Sequence, residues 1–281
     1  MPLPTALQPA VCVLAFDTST ERLSVGVAAA VAAGVAGTAG RHTCNAPGGA
    51  AASATLLPQV QALLAQAGLA YADLQAVAFG CGPGAFTGLR TACAVAQGLA
   101  YGLNLPVLPI DSLLIVAEDA RLQAAPDAAT LDVAVAMDAR MDEAYAARYR
   151  WQGGCWQVQQ APALYTLPAL AEAWQGLPVQ LLAGSALLAF GDRLVLPTAP
   201  RVAQEADRAA ALLRLAVAAA LAGPGMAADQ ALPLYLRDKV ALTTQERDAA
   251  KLAKAQASAS VSAAASAATP AAAPPREPSL S

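Results

Sequence analysis

The segment Gly80–Arg90, with the sequence GCGPGAFTGLR, constrains the fold of this chain more than any other stretch. It separates an apolar run, Ala76–Phe79, from a helix-like run, Thr91–Leu103. A buried strand is therefore predicted to end in a tight glycine turn that opens a helix. Glycine lets such a turn approach a ligand or a neighbouring domain closely, because it has no side chain and adopts positive φ readily. The helix start adds free N–H groups and the positive end of a dipole.

Hydrophobic periodicity around this segment predicts three strands followed by alternating helices and strands. Such an order is typical of a mixed sheet whose antiparallel part lies at one side. The predicted elements are strands over Val11–Asp17, Leu23–Ala30 and Gly37–Thr43, a loop over Ala46–Ala52, a helix over Ser53–Gly68, a strand over Gln75–Gly80, a helix over Thr87–Leu103 and a strand over Pro106–Ile110.

The same pattern returns after Asp111 without sequence identity. Duplicated β-β-β-α-β-α-β units describe the two-domain actin/sugar-kinase/Hsp70 (ASKHA) fold of the α/β class, in which nucleotide sits between the halves. The predicted elements are a helix over Leu113–Leu122, a strand over Leu131–Asp138, a hairpin of Glu143–Arg150 and Cys155–Gln160, a helix over Leu167–Gln175, a strand over Val179–Ala183 and an apolar helix over Ala206–Leu221.

The repeat and the composition together predict the domain limits. We expect an N-terminal extension over residues 1–10, a first domain over 11–111 and a second domain over 112–248. The last helix, 206–222, is a candidate to pack back on the first domain. Residues 249–281 are Ala, Ser and Pro with a few charges, and they contain no aromatic residue. We predict a disordered tail there, because such a segment cannot offset its ordering entropy.

The bulk composition argues for a cytoplasmic protein without membrane contact. The chain is 57% hydrophobic, but alanine inflates this value. Its most apolar window, Val25–Ala36, is shorter than the ~20 residues that a spanning helix needs. The N-terminus lacks a basic region followed by an apolar one. A net charge of −3 gives no general attraction to nucleic acid.

Cysteine and histidine usage narrows the possible chemistry. Five cysteines without C-x-x-C spacing favour reduced thiols over disulfides or a zinc site. The single histidine, His42, removes most metal-hydrolase and His-based triad hypotheses. We therefore predict no catalytic residues and no metal ligands in this chain.

A polar turn follows the first strand and carries Asp17, Thr18 and Ser19. A carboxylate with neighbouring hydroxyls can hold Mg²⁺ through water and bond phosphate oxygens. Such residues are also typical of an ordinary turn, because they bond their own backbone. The candidate nucleotide contacts are Asp17, Thr18, Ser19, Gly82, Gly84 and Arg90.

The glycine loop fits no common phosphate motif, since no Gly-Lys-[Ser/Thr] follows it and Pro83 lacks an N–H. Phe86 is expected to be a packing anchor, and Arg90 either meets an anion or is solvated. Asp138–Glu143 either lines the cleft between the domains or forms a charged turn. Asp111 with Ser112 is expected to cap the following helix.

Several segments together resemble the TsaB (YeaZ) family. The most specific is Gly80–Arg90, which carries the pattern G-P-G-x-F-T-G-[L/V]-R. The other segments occur in family order over about residues 11–240, and they are Leu14–Glu21, Leu56–Pro58, Ala96–Ala100, Pro106–Ser112, Asp138–Tyr145 and Pro233–Arg237.

This resemblance implies a non-catalytic subunit of the complex that forms N6-threonylcarbamoyladenosine next to the anticodon of tRNAs reading codons that start with A. The subunit would scaffold and activate a TsaD-like catalytic subunit together with a TsaE-like ATPase, meet tRNA through the complex, and form a homodimer when alone. It would require no cofactor itself, and ATP–Mg²⁺ would act at the level of the complex. The catalytic relative carries an H-x-x-x-H metal pair, which a chain with one histidine cannot supply.

The resemblance also places the partner interface on the first-domain helices. The residues expected there are Leu56, Leu57, Val60, Leu64, Leu89, Ala92, Val95 and Leu99. Two departures are Ser53 or a neighbour, where the family often has His, and Ala85, where it often has Ser. The alternatives are a small-molecule kinase of the same fold, using ATP–Mg²⁺ at Asp17 and the glycine loop, and a metallopeptidase relative, which the lack of metal-ligand spacing disfavours.

Overall fold

The computed structural model of the chain describes residues 11–31 and 40–237. In its first half, the chain forms a five-stranded sheet in the order β3-β2-β1-β4-β5, with two helices. These elements are β1 (Val11–Asp17), β2 (Arg22–Val31), β3 (Arg41–Pro47), α1 (Ala52–Ala67), β4 (Ala76–Gly82), α2 (Phe86–Leu103) and β5 (Val107–Asp111). β1 pairs antiparallel with β2 across a short turn and parallel with β4, because α1 returns the chain to the opposite end of the sheet.

The second half repeats this topology in a sheet ordered β8-β7-β6-β9-β10. Its elements are α3 (Ser112–Ala124), β6 (Thr130–Asp138), β7 (Glu143–Gln152), β8 (Cys155–Thr166), α4 (Leu167–Trp174), β9 (Leu181–Ala183), α5 (Ala186–Phe190), β10 (Arg201–Val202) and α6 (Arg208–Ala222). The duplicated unit and the ASKHA-like α/β fold predicted from the sequence are confirmed.

Helices cover both faces of each sheet. Leu14 and Phe16 of β1 pack in one cluster with residues of α1 and α2, whereas Val13 and Ala15 pack with residues of α6. This split follows from the alternation of side chains along a strand. In the second sheet, α3 covers one face and α4 with α5 cover the other. The last helix therefore packs on the first sheet although it follows the second sheet in the chain.

The predicted and observed boundaries differ most at the hairpins. The predicted loop over Ala46–Ala52 is wrong at its start, because β3 continues to Pro47 by pairing with Arg22 of β2. β8 extends beyond the predicted Gln160 to Thr166, since its pairing with β7 continues across an irregularity. The predicted strand over Gly37–Thr43 begins outside the described residues. The N-terminal extension and the tail over 249–281 also lie outside them.

Two further points concern the helices. Gly68 ends α1 in the left-handed conformation that is typical of a glycine C-cap. Within residues 11–31 and 40–237, we find no helix with both the length and the apolar run that crossing a bilayer requires.

Candidate functional site

The glycine loop packs directly on the turn that follows β1. A Cβ atom added at Gly80 would lie 2.4 Å from Cγ of Asp17, and one added at Gly84 would lie 2.5 Å from the Ser19 carbonyl oxygen. At Gly88, the added atom would lie 1.7 Å from the Thr18 carbonyl oxygen. Any side chain at these three positions would collide with the turn, so the glycines are explained by close approach within the chain.

Hydrogen bonds join the same two segments. The Thr18 hydroxyl donates to the Gly88 carbonyl at 2.7 Å, and the Ala85 amide donates to the Ser19 carbonyl at 2.7 Å. The polar start of α2 is therefore partly satisfied by the β1–β2 turn.

The Asp17 carboxylate is fully buried and accepts four hydrogen bonds from within the chain. Oδ1 accepts from the Ser19 amide at 2.7 Å, and Oδ2 accepts from the Ser19 hydroxyl at 2.9 Å. Nε and Nη2 of Arg208 donate to Oδ2 at 2.8 and 2.5 Å. Because an ionised carboxylate offers about four lone-pair sites, these bonds fill its acceptor capacity.

Arg208, at the start of α6, was not foreseen as a site residue. Its side chain is 1% exposed, and its remaining contacts are an ion pair with Glu205 and donations from Nη2 to the Ser19 hydroxyl and the Ser112 carbonyl. Burial disfavours the charged guanidinium, but the Asp17 and Glu205 carboxylates outweigh this effect and raise the pKa of Arg208. Burial also raises the pKa of Glu205, against the attraction of Arg208.

The N-terminus of α6 is held by polar groups from both halves of the chain. Asp207 caps the helix by accepting from the Ala210 amide, and Asn45 of β3 donates to Asp207 at 2.7 Å. The carboxylate of Asp119 in α3 accepts from the amides of Ala206 and Asp207 at 3.0 and 2.8 Å. These bonds fix the position from which Arg208 reaches Asp17.

Asp111 and Ser112 form the expected N-cap of α3. The Asp111 carboxylate accepts from the Leu113 amide at 2.9 Å and from the Tyr149 hydroxyl at 2.5 Å. Burial raises the pKa of Asp111, although these hydrogen bonds oppose the shift. Ser112 accepts from the Gly82 amide at 3.1 Å, which ties the glycine loop to α3.

Arg90 and Phe86 face a segment near the end of the described chain. The Arg90 guanidinium lies 3.9 Å from the Phe86 ring centroid and donates to the Tyr235 hydroxyl at 3.2 Å. The Phe86 and Tyr235 rings are 5.1 Å apart, so Phe86 is a packing anchor as predicted. The Leu234 amide donates to the Cys81 carbonyl at 2.7 Å, and the Ala231 carbonyl accepts from Cys93 and Gln97 of α2, so residues 231–234 lie against the end of β4 and against α2.

Asp138–Glu143 forms the turn between β6 and β7, at the position in the second half that corresponds to Asp17–Thr20 in the first. Arg140, Met141 and Asp142 adopt positive φ there. The Arg140 guanidinium lies 3.8 Å from the Glu21 carboxylate, which belongs to the first-half turn.

The predicted partner residues on α1 and α2 divide into two groups. Leu57 is 41% exposed, and Val95 and Leu99 are partly exposed. The other five lie inside the first hydrophobic core or against it, so they support the surface from beneath and do not line it; they are Leu56, Val60, Leu64, Leu89 and Ala92. Tyr101, with 85% exposure, was not predicted and extends the exposed face of α2.

The structure thus places Asp17 and Ser19 against Arg208, whereas Thr18 and Gly84 lie in the contact between the β1–β2 turn and the glycine loop. Gly82 and Arg90 lie toward Leu234 and Tyr235. The sequence signal for Arg208 is the charged segment Glu205-Ala206-Asp207-Arg208, which leads into the largely apolar helix α6.

The family model described as "TsaD: tRNA N6-adenosine threonylcarbamoyltransferase" matches residues 49–273. The tRNA threonylcarbamoyladenosine biosynthesis protein TsaB of Escherichia coli (strain K12) is 33% identical over 236 residues, which cover 82% of this chain and 96% of that relative. The protein of the same name from Haemophilus influenzae is 40% identical over 134 residues, which cover 47% of this chain and 51% of that relative.

Solved structures agree with the sequence matches. YeaZ from Pseudomonas aeruginosa superposes with a TM-score of 0.68 at 36% identity, covering 80% of this chain and all of that one. Because the Escherichia coli relative is 33% identical over 82% of this chain and 96% of its own length, the chain belongs to the TsaB (YeaZ) family.

Proposed function

We propose that this protein is a non-catalytic subunit of the complex that forms N6-threonylcarbamoyladenosine in tRNA. The observation that carries the proposal is the alignment with a tRNA threonylcarbamoyladenosine biosynthesis protein over 82% of the chain. The subunit would hold a TsaD-like catalytic partner in a competent conformation, together with a TsaE-like ATPase. It would act by binding one conformation of that partner better than another. Contact with tRNA would be made through the complex.

The exposed face of α1 and α2 supports this role. Arg90, at the start of α2, is the only charged side chain on either helix. The other exposed side chains of the two helices are uncharged, and they include Gln61 and Gln66 of α1, with Leu57, Val95, Gly98 and Tyr101 at or near the surface. An uncharged face of this kind is typical of a buried protein–protein interface, whose centre is depleted of charge and enriched in aromatic residues. The same face would pair two copies when the partner is absent.

The geometry around Asp17 favours the role of a non-catalytic subunit over kinase activity. A kinase would need Asp17 to face a metal-bound nucleotide, but here Asp17 is buried and its acceptor sites are filled by Ser19 and Arg208. Of the glycines that would approach phosphate, Gly84 is instead packed against Ser19, and Gly82 is packed against Leu234 and Leu89. Nucleotide would then act at the level of the complex.

Co-elution with the TsaD-like partner tests the proposed interface. Gly98 lies on the exposed side of α2, and a Cβ added there meets nothing within 4 Å, so Gly98→Arg leaves the fold intact while placing a charge on the face. We expect Gly98→Arg and Leu57→Asp to abolish co-elution. Leu188→Asp is the matched control, because Leu188 is 62% exposed on α5, away from this face.

The measurement has a clear contrary outcome. If both face variants co-elute with the partner as fully as wild type and Leu188→Asp do, the assignment of the α1/α2 face is overturned. Circular dichroism melts of each variant establish that any loss reflects the interface and not unfolding.

A further inference from the structure

We propose that Arg208 is an internal latch, a side chain that occupies the cation position beside Asp17 and joins the two halves without any ligand. The inference concerns the isolated chain and does not depend on the proposed role in tRNA modification. It rests on the groups that contact the Arg208 guanidinium and on the cation that the carboxylate and hydroxyls of the Asp17 turn could otherwise hold.

Arg208 places its positive charge against the carboxylate and hydroxyl that could otherwise hold a cation. In a fold whose two halves close on a metal-bound nucleotide, the turn after the first strand offers a carboxylate and hydroxyls to the ligand. In this protein the same carboxylate and the Ser19 hydroxyl meet the Arg208 guanidinium at 2.5 and 3.2 Å. A guanidinium stays charged at all accessible pH values and forms bidentate bonds with carboxylates, so it is a permanent substitute for a dissociable cation.

The contacts of the guanidinium extend to both halves. Asp17 ends β1 and Ser19 lies in the β1–β2 turn of the first half. Ser112 opens the helix that packs on the second sheet, and Glu205 follows β10 of that sheet. All of its nitrogens are used, and both ion-pair partners are largely or fully buried. Breaking a buried ion pair from one side leaves an uncompensated charge, so this contact resists separation of the halves.

The latch is reinforced by interactions that do not involve Arg208. Gly82 donates to Ser112, Tyr149 donates to Asp111, and Asp119 accepts from the two residues that precede Arg208. Each of these bonds joins elements that meet near the Asp17 turn. Together they position Arg208 so that no ligand is needed to order the turn.

Hydrogen exchange of the purified full-length chain tests the latch. We expect Arg208→Gln to increase exchange in two segments from different halves, the β1–β2 turn (17–22) and the start of α3 (112–116), while α4 is unchanged. Arg121→Gln is the matched control, because it breaks another buried ion pair, with Glu118, inside α3. That control should lower the thermal midpoint without increasing exchange at the β1–β2 turn.

Thermal melts of a double-mutant cycle supply a second readout in case exchange is broadly increased. Asp17→Asn and Arg208→Gln should each lower the melting temperature, and the loss in the double variant should be smaller than the sum of the two single losses, because the double variant removes both members of the Asp17–Arg208 pair. Equal, additive losses would overturn the latch, and so would unchanged exchange in Arg208→Gln.

Addition of ATP with Mg²⁺ to the wild-type chain completes the test. The latch predicts that neither the melting temperature nor exchange at the β1–β2 turn changes, since the Asp17 acceptor sites are already filled. Protection of that turn by ATP–Mg²⁺ would show that Arg208 is displaced by ligand, and the proposal would fall.

Discussion

At the scale of single residues, Ala85 marks the least satisfied point of the candidate site. It occupies the N-cap of α2 with extended backbone angles, φ −63° and ψ 121°, and no side-chain hydrogen bond caps the helix. Serine at such a position accepts a hydrogen bond from the second or third helical amide. We expect Ala85→Ser to raise the free energy of unfolding by about 1 kcal/mol in urea denaturation. A neutral or destabilising effect would mean that the loop already satisfies those amides.

The cysteines differ in predicted reactivity. Burial raises the pKa of the Cys81 thiol to about 12, and Asp111 and Asp17 add to the shift. Since the thiolate is the reactive form, Cys81 should resist iodoacetamide at pH 8, whereas the exposed Cys155 should react. Mass spectrometry of the native and the urea-unfolded chain measures both sites. Fast labelling of Cys81 in the native chain would contradict the burial of its thiol at the end of β4.

At the scale of elements, two glycines of α2 should respond oppositely to alanine. Gly88→Ala would drive a Cβ against the Thr18 carbonyl, and separating backbone from backbone costs about 1–3 kcal/mol or more. Gly98→Ala meets open space in a helix interior, where alanine is favoured over glycine by roughly 0.5–1 kcal/mol. Denaturation of the two variants checks the pair. A harmless Gly88→Ala would contradict the close packing of α2 on the β1–β2 turn.

These elements also show how far the sequence alone could predict the structure. Strands and long helices were predicted within a few residues, because their hydrophobic periods are regular. The sequence predicts that Gly80–Arg90 is a strand-to-helix turn. The reason for its glycines is close contact with Asp17, Thr18 and Ser19, which lie far away in the sequence. Such a contact leaves no local pattern, and the same holds for the bond between Arg208 and Asp17, 191 residues apart.

Burial explains why only some of the predicted interface residues on α1 and α2 lie at the surface. The apolar spacing of α1 and α2 is shared by residues that face the core and by those that face solvent. Leu56, Val60 and Leu64 are therefore buried, while Leu57 is exposed. Tyr101 is exposed at the C-terminal end of α2 and belongs to no apolar repeat, so only the three-dimensional arrangement reveals it.

At the scale of the whole molecule, the chain folds into two five-stranded halves joined by buried polar contacts around Arg208. The first-half helices α1 and α2 carry a single charged side chain, Arg90. We propose that this arrangement suits a subunit that positions a partner, with nucleotide acting at the level of the complex.

The most direct test of this account is the threonylcarbamoyladenosine content of tRNA, measured by liquid chromatography and mass spectrometry after depletion of the protein in cells. We predict that the modified nucleoside falls, that wild type and Leu188→Asp restore it, and that Gly98→Arg does not. An unchanged content of threonylcarbamoyladenosine in depleted cells would contradict the proposed function.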